Sequence, residues 1–144
     1  MTTLTPPDDP SASDEALDAL STLPAQLDPT IPIDPGAIAF AYHYYAELCC
    51  GDPKSRAQAT KALAALSRAW RITDQGELLL PGSGTDTYRV SSFCCALDGQ
   101  YTTNKKTGKH GQKLCKGWTF AGGGCYHRAA FEILRIAQYA DQLI

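Results

Sequence analysis

The stretch Cys115-Lys-Gly-Trp-Thr-Phe-Ala-Gly-Gly-Gly-Cys125-Tyr126-His127-Arg128 decides how this 144-residue chain is read. The three glycines let the backbone turn sharply, and helical spacing of apolar side chains begins directly after them. An amphipathic helix is predicted from about His127 to Leu143, with Phe131 and Leu134, joined by Ile133 and Ala137, facing the core. Cys125 and His127 then sit where turn becomes helix, and Cys115 lies across the loop that the glycines help to close. Thiolate and imidazole are the donors zinc prefers, about four of them in a tetrahedron. Upstream, the adjacent Cys94 and Cys95 are the expected source of a further thiolate. Neighbours on a strand point to opposite faces, so one of the two serves, Cys95 in preference. His110 is a more remote substitute. Three thiolates and a neutral imidazole would leave Zn2+ with one net negative charge and no open position, as in a structural site rather than a catalytic one. The competing readings are cysteines packed as small hydrophobes beside a surface histidine, and a catalytic Cys–His pair.

Outward from this segment lies a helix ending at Trp70. Then come a hairpin over Ile72–Leu80 with Asp74-Gln75-Gly76 at its turn, and a strand over Thr87–Cys95 containing Tyr88-Arg89-Val90. With Cys125-Tyr126-His127 and the helix start His127-Arg128-Ala129-Ala130, this order resembles the SWIM-type zinc finger in its prokaryotic form. That family's pattern is Cys-x-Cys, a variable spacer, then Cys-x-His opening a helix. The resemblance covers roughly residues 57–140, and its C-terminal half is the specific part. It implies a structural zinc held by Cys115, Cys125 and His127, and binding of DNA or protein. The chain departs from the pattern at Lys113-Leu114-Cys115, where lysine stands in place of the first cysteine. Either Cys94 or Cys95 then completes the set across the hairpin, or Cys94-Cys95 aligns with the Cys-x-Cys and Cys115 belongs to the spacer.

Residues 98–113 are polar, lysine-rich and turn-prone, and read as a loop. Lys105, Lys106, Lys109, Lys113 and Lys116 lie there or beside it, with Tyr101 and Trp118 nearby and Arg128 just beyond. Lysines neutralise phosphates and aromatic rings stack on exposed bases, so nucleic acid, DNA first, is the expected partner and a protein the alternative. Gly108-Lys109 lacks the second glycine and the Ser/Thr of a phosphate-binding P-loop, which is excluded.

Charge divides the chain sharply. Residues 1–53 hold nine acids and no Lys or Arg, so all 13 basic residues lie in 54–144 beside six acids. This suggests an anionic partner for the basic part, or attraction between the two parts. The N-terminus shows no secretory signal and no apolar stretch long enough for a membrane span, so a cytoplasmic, reducing setting is expected, in which clustered Cys and His point to metal.

The expected architecture is α+β. Residues 1–33, rich in Pro, Asp, Ser and Thr, read as a disordered acidic tail with a marginal helical turn near Glu15–Leu20. Residues 34–71 form a helical hairpin, with Asp34-Pro35 and Asp52-Pro53 as starts, Gly51 as a stop, and Ala57, Leu63, Ala64, Leu66 and Trp70 along one side. Residues 72–144 form the zinc-binding module. The expected function is binding, not enzymatic, with no small-molecule substrate and no membrane. A protein-docking adaptor using Tyr42–Tyr45 is the first alternative. A cysteine-based redox enzyme, using Cys94-Cys95 or Cys125 with His127, is the second. Cys49 and Cys50 are expected to be packing or incidental residues, with a second metal contact or a redox pair as the alternatives.

Overall fold

In the computed structural model, residues 14–82, 86–91, 95–103, 105–115 and 125–143 are described, and they form an α+β structure. The two Asp-Pro pairs start two helices as expected. The Asp34 carboxylate accepts from Ala37 N–H at 2.8 Å and opens α2 (Pro35–Tyr44). The Asp52 carboxylate accepts from Ser55 N–H at 2.7 Å and opens α3 (Pro53–Ala65). Each satisfies an amide that the first helical turn leaves unbonded. A π-helical turn, Tyr45–Cys49, extends α2. α3 stops at Ala65 rather than Trp70. Ser67 and Arg68 N–H turn to the carbonyls of Ala64 and Ala65, and the Ser67 hydroxyl also donates to Ala64 O at 2.6 Å. The buried side of α3 is Ala59, Ala62 and Ala65 with Leu66 following, whereas Ala57 and Ala64 are exposed.

An antiparallel meander follows, in the order β1 (Arg71–Ile72), β2 (Leu78–Pro81), β3 (Thr87–Val90), β4 (Cys95–Thr103) and β5 (His110–Leu114). The turn at Asp74-Gln75-Gly76 closes β1 onto β2, with Gly76 at φ +79° and its N–H donating to Thr73 O. Thr87–Cys95 is not one strand. Val90 pairs with Cys95, so the chain reverses between them and Cys95 begins β4. The expected loop over 98–113 is largely a hairpin of β4 and β5. β5 is exposed along its whole length and the distal half of β4 is polar. With no apolar face, the period-2 signal of a half-buried strand is absent from the sequence.

The last helix, α4 (Tyr126–Gln138), is the axis of the molecule. α2 and α3 both pack on it, more than on each other, and β3 touches it. Phe131, Ile133, Leu134 and Ile136 on α4 are fully buried with Leu78, Leu80, Val90 and Cys95 from the sheet. The helix has no solvent face over Ala129–Gln138, because residues 14–33 cover its polar side. The expected tail therefore needs correction over that range. Asp14–Ser21 is helix α1, and Leu20, Leu23 and Leu27 are buried in the main core. Ala16, Leu20, Leu23 and Leu27 recur at a helical 4-3-4 spacing, but in a short, acidic, proline-containing segment whose composition reads as too poor in apolar surface to order itself. Residues 1–13 lie outside the described residues. Among the described residues, no helix is long and apolar enough to cross a membrane.

Candidate metal centre and basic hairpin

Three pieces of backbone meet at the base of the β4–β5 hairpin. Cys95 is the first residue of β4 and Cys115 follows β5, and Cys115 N–H donates to Cys95 O at 2.9 Å. That bond fixes the two cysteines side by side. Cys125 is the N-cap of α4, in extended conformation, and His127 lies in the helix's first turn. All four residues are buried, and one donor atom from each lies within 4.8 Å of the others. Cys115 Sγ and His127 Nδ1 are 3.5 Å apart.

These separations suit a metal ion. Zn–S bonds of about 2.3 Å and Zn–N bonds of about 2.0–2.1 Å at tetrahedral angles place sulfur and nitrogen about 3.6 Å apart. The donors differ in chemistry but match in position, and the Cys95, Cys115, Cys125, His127 cluster could hold a metal ion.

Electrostatics favours a cation here. The Cys125 thiol is brought down to about 4 by a hydrogen bond from the Cys95 thiol, then by His127 and the Arg128 backbone N–H, although burial opposes this. Its place at the start of α4 adds the helix's positive end. The same Cys95–Cys125 hydrogen bond, together with burial, pushes the Cys95 thiol up. A cation bound here would displace the protons of its thiol ligands.

The His127 ring is held between two tyrosines that sequence reasoning did not assign to the site. Tyr88 from β3 stacks on it at 3.9 Å between ring centres, with planes 22° apart, and Tyr126 lies against it at 4.0 Å. His127 Nε2 is buried and has no hydrogen-bond partner among the described residues. The Tyr88-Arg89-Val90 motif marked the strand, but nothing in the sequence marked the stacking.

The structure brings together Cys95, Cys115, Cys125 and His127 as the sequence suggested, with Cys95 as the partner. Cys94, Lys116 and Trp118 lie outside the described residues. His110 is not in the cluster: its Nδ1 is 2.7 Å from Thr103 Oγ1 on the exposed hairpin. Lys105, Lys106 and Lys109 are exposed in the hairpin turn and Lys113 is exposed on β5. Arg128 does not join them. Its guanidinium pairs with Glu132 at 3.3 Å and its side chain is 23% exposed, so it belongs to an ion-pair network on α4. Cys49 and Cys50 are far from nucleophilic, because burial pushes their thiols up to about 12 and about 11. Tyr42 hydrogen-bonds with Thr60 on α3 and lines an apolar cavity of about 610 Å³ with Ile38, Leu63 and Trp70.

No family model, no curated protein and no solved structure matches this chain.

Proposed function

We propose that the protein is a zinc-stabilised, SWIM-like module that binds nucleic acid, DNA first, through its basic β4–β5 hairpin, and that it is not an enzyme. The observation that carries this is the burial of three cysteines and one histidine at the hairpin's base. Four donors of this kind suit Zn2+ and fill its tetrahedron. Burial favours ligation over nucleophilic catalysis, since a catalytic thiolate must be reached by its substrate. A zinc there ties β4, β5 and α4 into one unit, so the hairpin leaves the body of the protein from a fixed base. Its turn and second strand carry Lys105, Lys106, Lys109 and Lys113 with no acid between Gly99 and Lys116. Each lysine that meets a phosphate releases condensed counterions, which gives affinity and steep salt dependence. The thiols of Cys49, Cys50, Cys95, Cys115 and Cys125 are all unbridged, in keeping with action in the reducing cytoplasm.

Elemental mass spectrometry on the untagged protein tests the centre. One equivalent of zinc is expected in wild type, with little or none in Cys125→Ser and His127→Ala. Absence of metal from well-folded wild type purified without chelator sinks the reading. The hairpin is tested by anisotropy with labelled oligonucleotides across a salt series. If the four lysines each meet a phosphate, the expected log–log slope is about −3.6 on duplex and about −2.8 on single strands, at about −0.9 and −0.7 per contact.

The cavity lined by Ile38, Tyr42, Leu63 and Trp70 favours a second function, docking of an apolar protein segment between α2 and α3. Such binding changes little with salt, and Leu63→Asp abolishes it without altering the zinc content.

A further inference from the structure

The hairpin presents two unlike faces. Side chains paired across an antiparallel ribbon share a face, and alternate residues reverse it. Tyr101 pairs with Gln112 and Thr103 with His110, so these four share one face; Thr102 and Gly111 lie on the other. The ribbon leaves the sheet at an irregularity between Ala96 and Tyr101, where Gly99 takes φ +74°. Beyond it, Tyr101 is 69% exposed, whereas the other exposed large apolar side chains, Leu17, Phe40, Leu48 and Leu114, are only 40–41% exposed. An aromatic ring this bare, on a lysine-bearing ribbon, is stacking surface waiting for a partner rather than core.

We propose that Tyr101 stacks an unpaired base, so that the hairpin's partner is single-stranded rather than duplex nucleic acid. This rests on the reading of the hairpin as a nucleic-acid surface. Base–aromatic stacking needs an open π-face, which duplex bases bury against one another and single strands offer at every nucleotide. Gln112 is paired with Tyr101 across the ribbon, so its amide, a donor and an acceptor, shares the face of the ring. Thr103 and His110 form the last pair before the turn. Tyr101 is two residues from it, about 7 Å along the strand. The long lysine side chains of the turn can therefore reach the phosphates that flank a base stacked on Tyr101. Lysines hold the backbone and the ring holds a base, which gives affinity with little sequence preference.

The test uses the full zinc-loaded chain with a labelled oligo(dT) and a duplex of the same length, comparing wild type, Tyr101→Ala and Tyr101→Phe. Because Tyr101 is exposed, both variants are expected to keep wild-type zinc content and circular dichroism. Tighter binding of the single strand is expected, with Tyr101→Ala weakening it roughly 5- to 150-fold. Tyr101→Phe should remain within about twofold of wild type, and the salt slope should hardly change, since no phosphate contact is lost. Equal affinity for both oligonucleotides, or single-strand affinity indifferent to Tyr101→Ala, overturns the stacking proposal and leaves a nucleic-acid-binding hairpin standing. Failure of the zinc-loaded wild type to bind either oligonucleotide removes both.

Discussion

Gly76 and Gly99 show how far a single residue's role depends on its neighbours. Both have positive φ, +79° and +74°. A Cβ on Gly99 would meet nothing within 4 Å, whereas one on Gly76 would sit 2.5 Å from the Leu27 carbonyl oxygen and 2.8 Å from Gln26 Cβ. Leu27 N–H also donates to Gly76 O at 3.0 Å, so the turn and the N-terminal segment are pressed together there. Gly99→Ala is expected to cost only the left-handed strain, about 1–2 kcal/mol. Gly76→Ala should cost about 3 kcal/mol, because the clash with backbone also threatens the Leu27 hydrogen bond. Urea midpoints of the two variants measure this, and equal shifts would show that the Leu27 contact contributes nothing. The same scale explains what could be read at the candidate metal centre. Cysteine and histidine advertise themselves by chemistry, so Cys115, Cys125 and His127 were legible, and strand alternation pointed to Cys95. Tyr88 and Tyr126 were not, because an aromatic stacked on a histidine looks in sequence like any core residue.

Among the elements, α4 departs most from its sequence pattern, which promised a polar face in water. Glu132 instead lies between Arg135 (2.7 Å) and Arg128 (3.3 Å), and Arg135 also donates to Pro24 O. Gln138 accepts from Asp28 N–H at 2.8 Å and donates to Asp28 O at 2.7 Å. Burying charge is tolerable only with partners of this kind. Glu132→Gln strips both arginines of their counter-charge and should destabilise by about 3 kcal/mol. Glu132→Leu with Arg135→Leu should recover part of that loss, since an apolar pair leaves fewer buried charges; thermal denaturation of the two variants decides it. Periodicity reports which residues are apolar but not what covers the rest. That is why the helix starts at Asp34-Pro35 and Asp52-Pro53 and the turn at Gly76 were legible, each being fixed by local backbone chemistry. The cover over α4 and the polar β4–β5 ribbon were not, since one depends on distant partners and the other has no apolar face to give a period.

At the scale of the whole molecule, the acidic N-terminal part and the basic C-terminal part are joined through a shared apolar core. Leu20, Leu23 and Leu27 enter the same core as Phe131, Ile133 and Leu80. Full burial of a leucine is worth about 1.5–3 kcal/mol, so the three together contribute on the order of 5–9 kcal/mol. That is comparable to the entire stability of a typical domain, about 5–15 kcal/mol. Beginning the chain at Asp34 would also leave Gln138 without the Asp28 and Ile31 backbone groups it bonds, and Arg135 without Pro24 O. Stranding those groups adds further cost. The shortened chain is therefore expected to lose cooperative unfolding in the presence of a chelator, where no metal masks the deficit. It should bind a hydrophobic dye and lose the near-ultraviolet circular dichroism of Trp70 and the partly buried tyrosines packed on the core, while the full chain under the same conditions keeps more structure. Replacing Leu20, Leu23 and Leu27 together by alanine in the full chain should reproduce the loss, which separates it from any effect of removing acidic residues. A chain beginning at Asp34 that unfolds cooperatively at the wild-type midpoint would show that residues 14–33 rest on α4 without holding it.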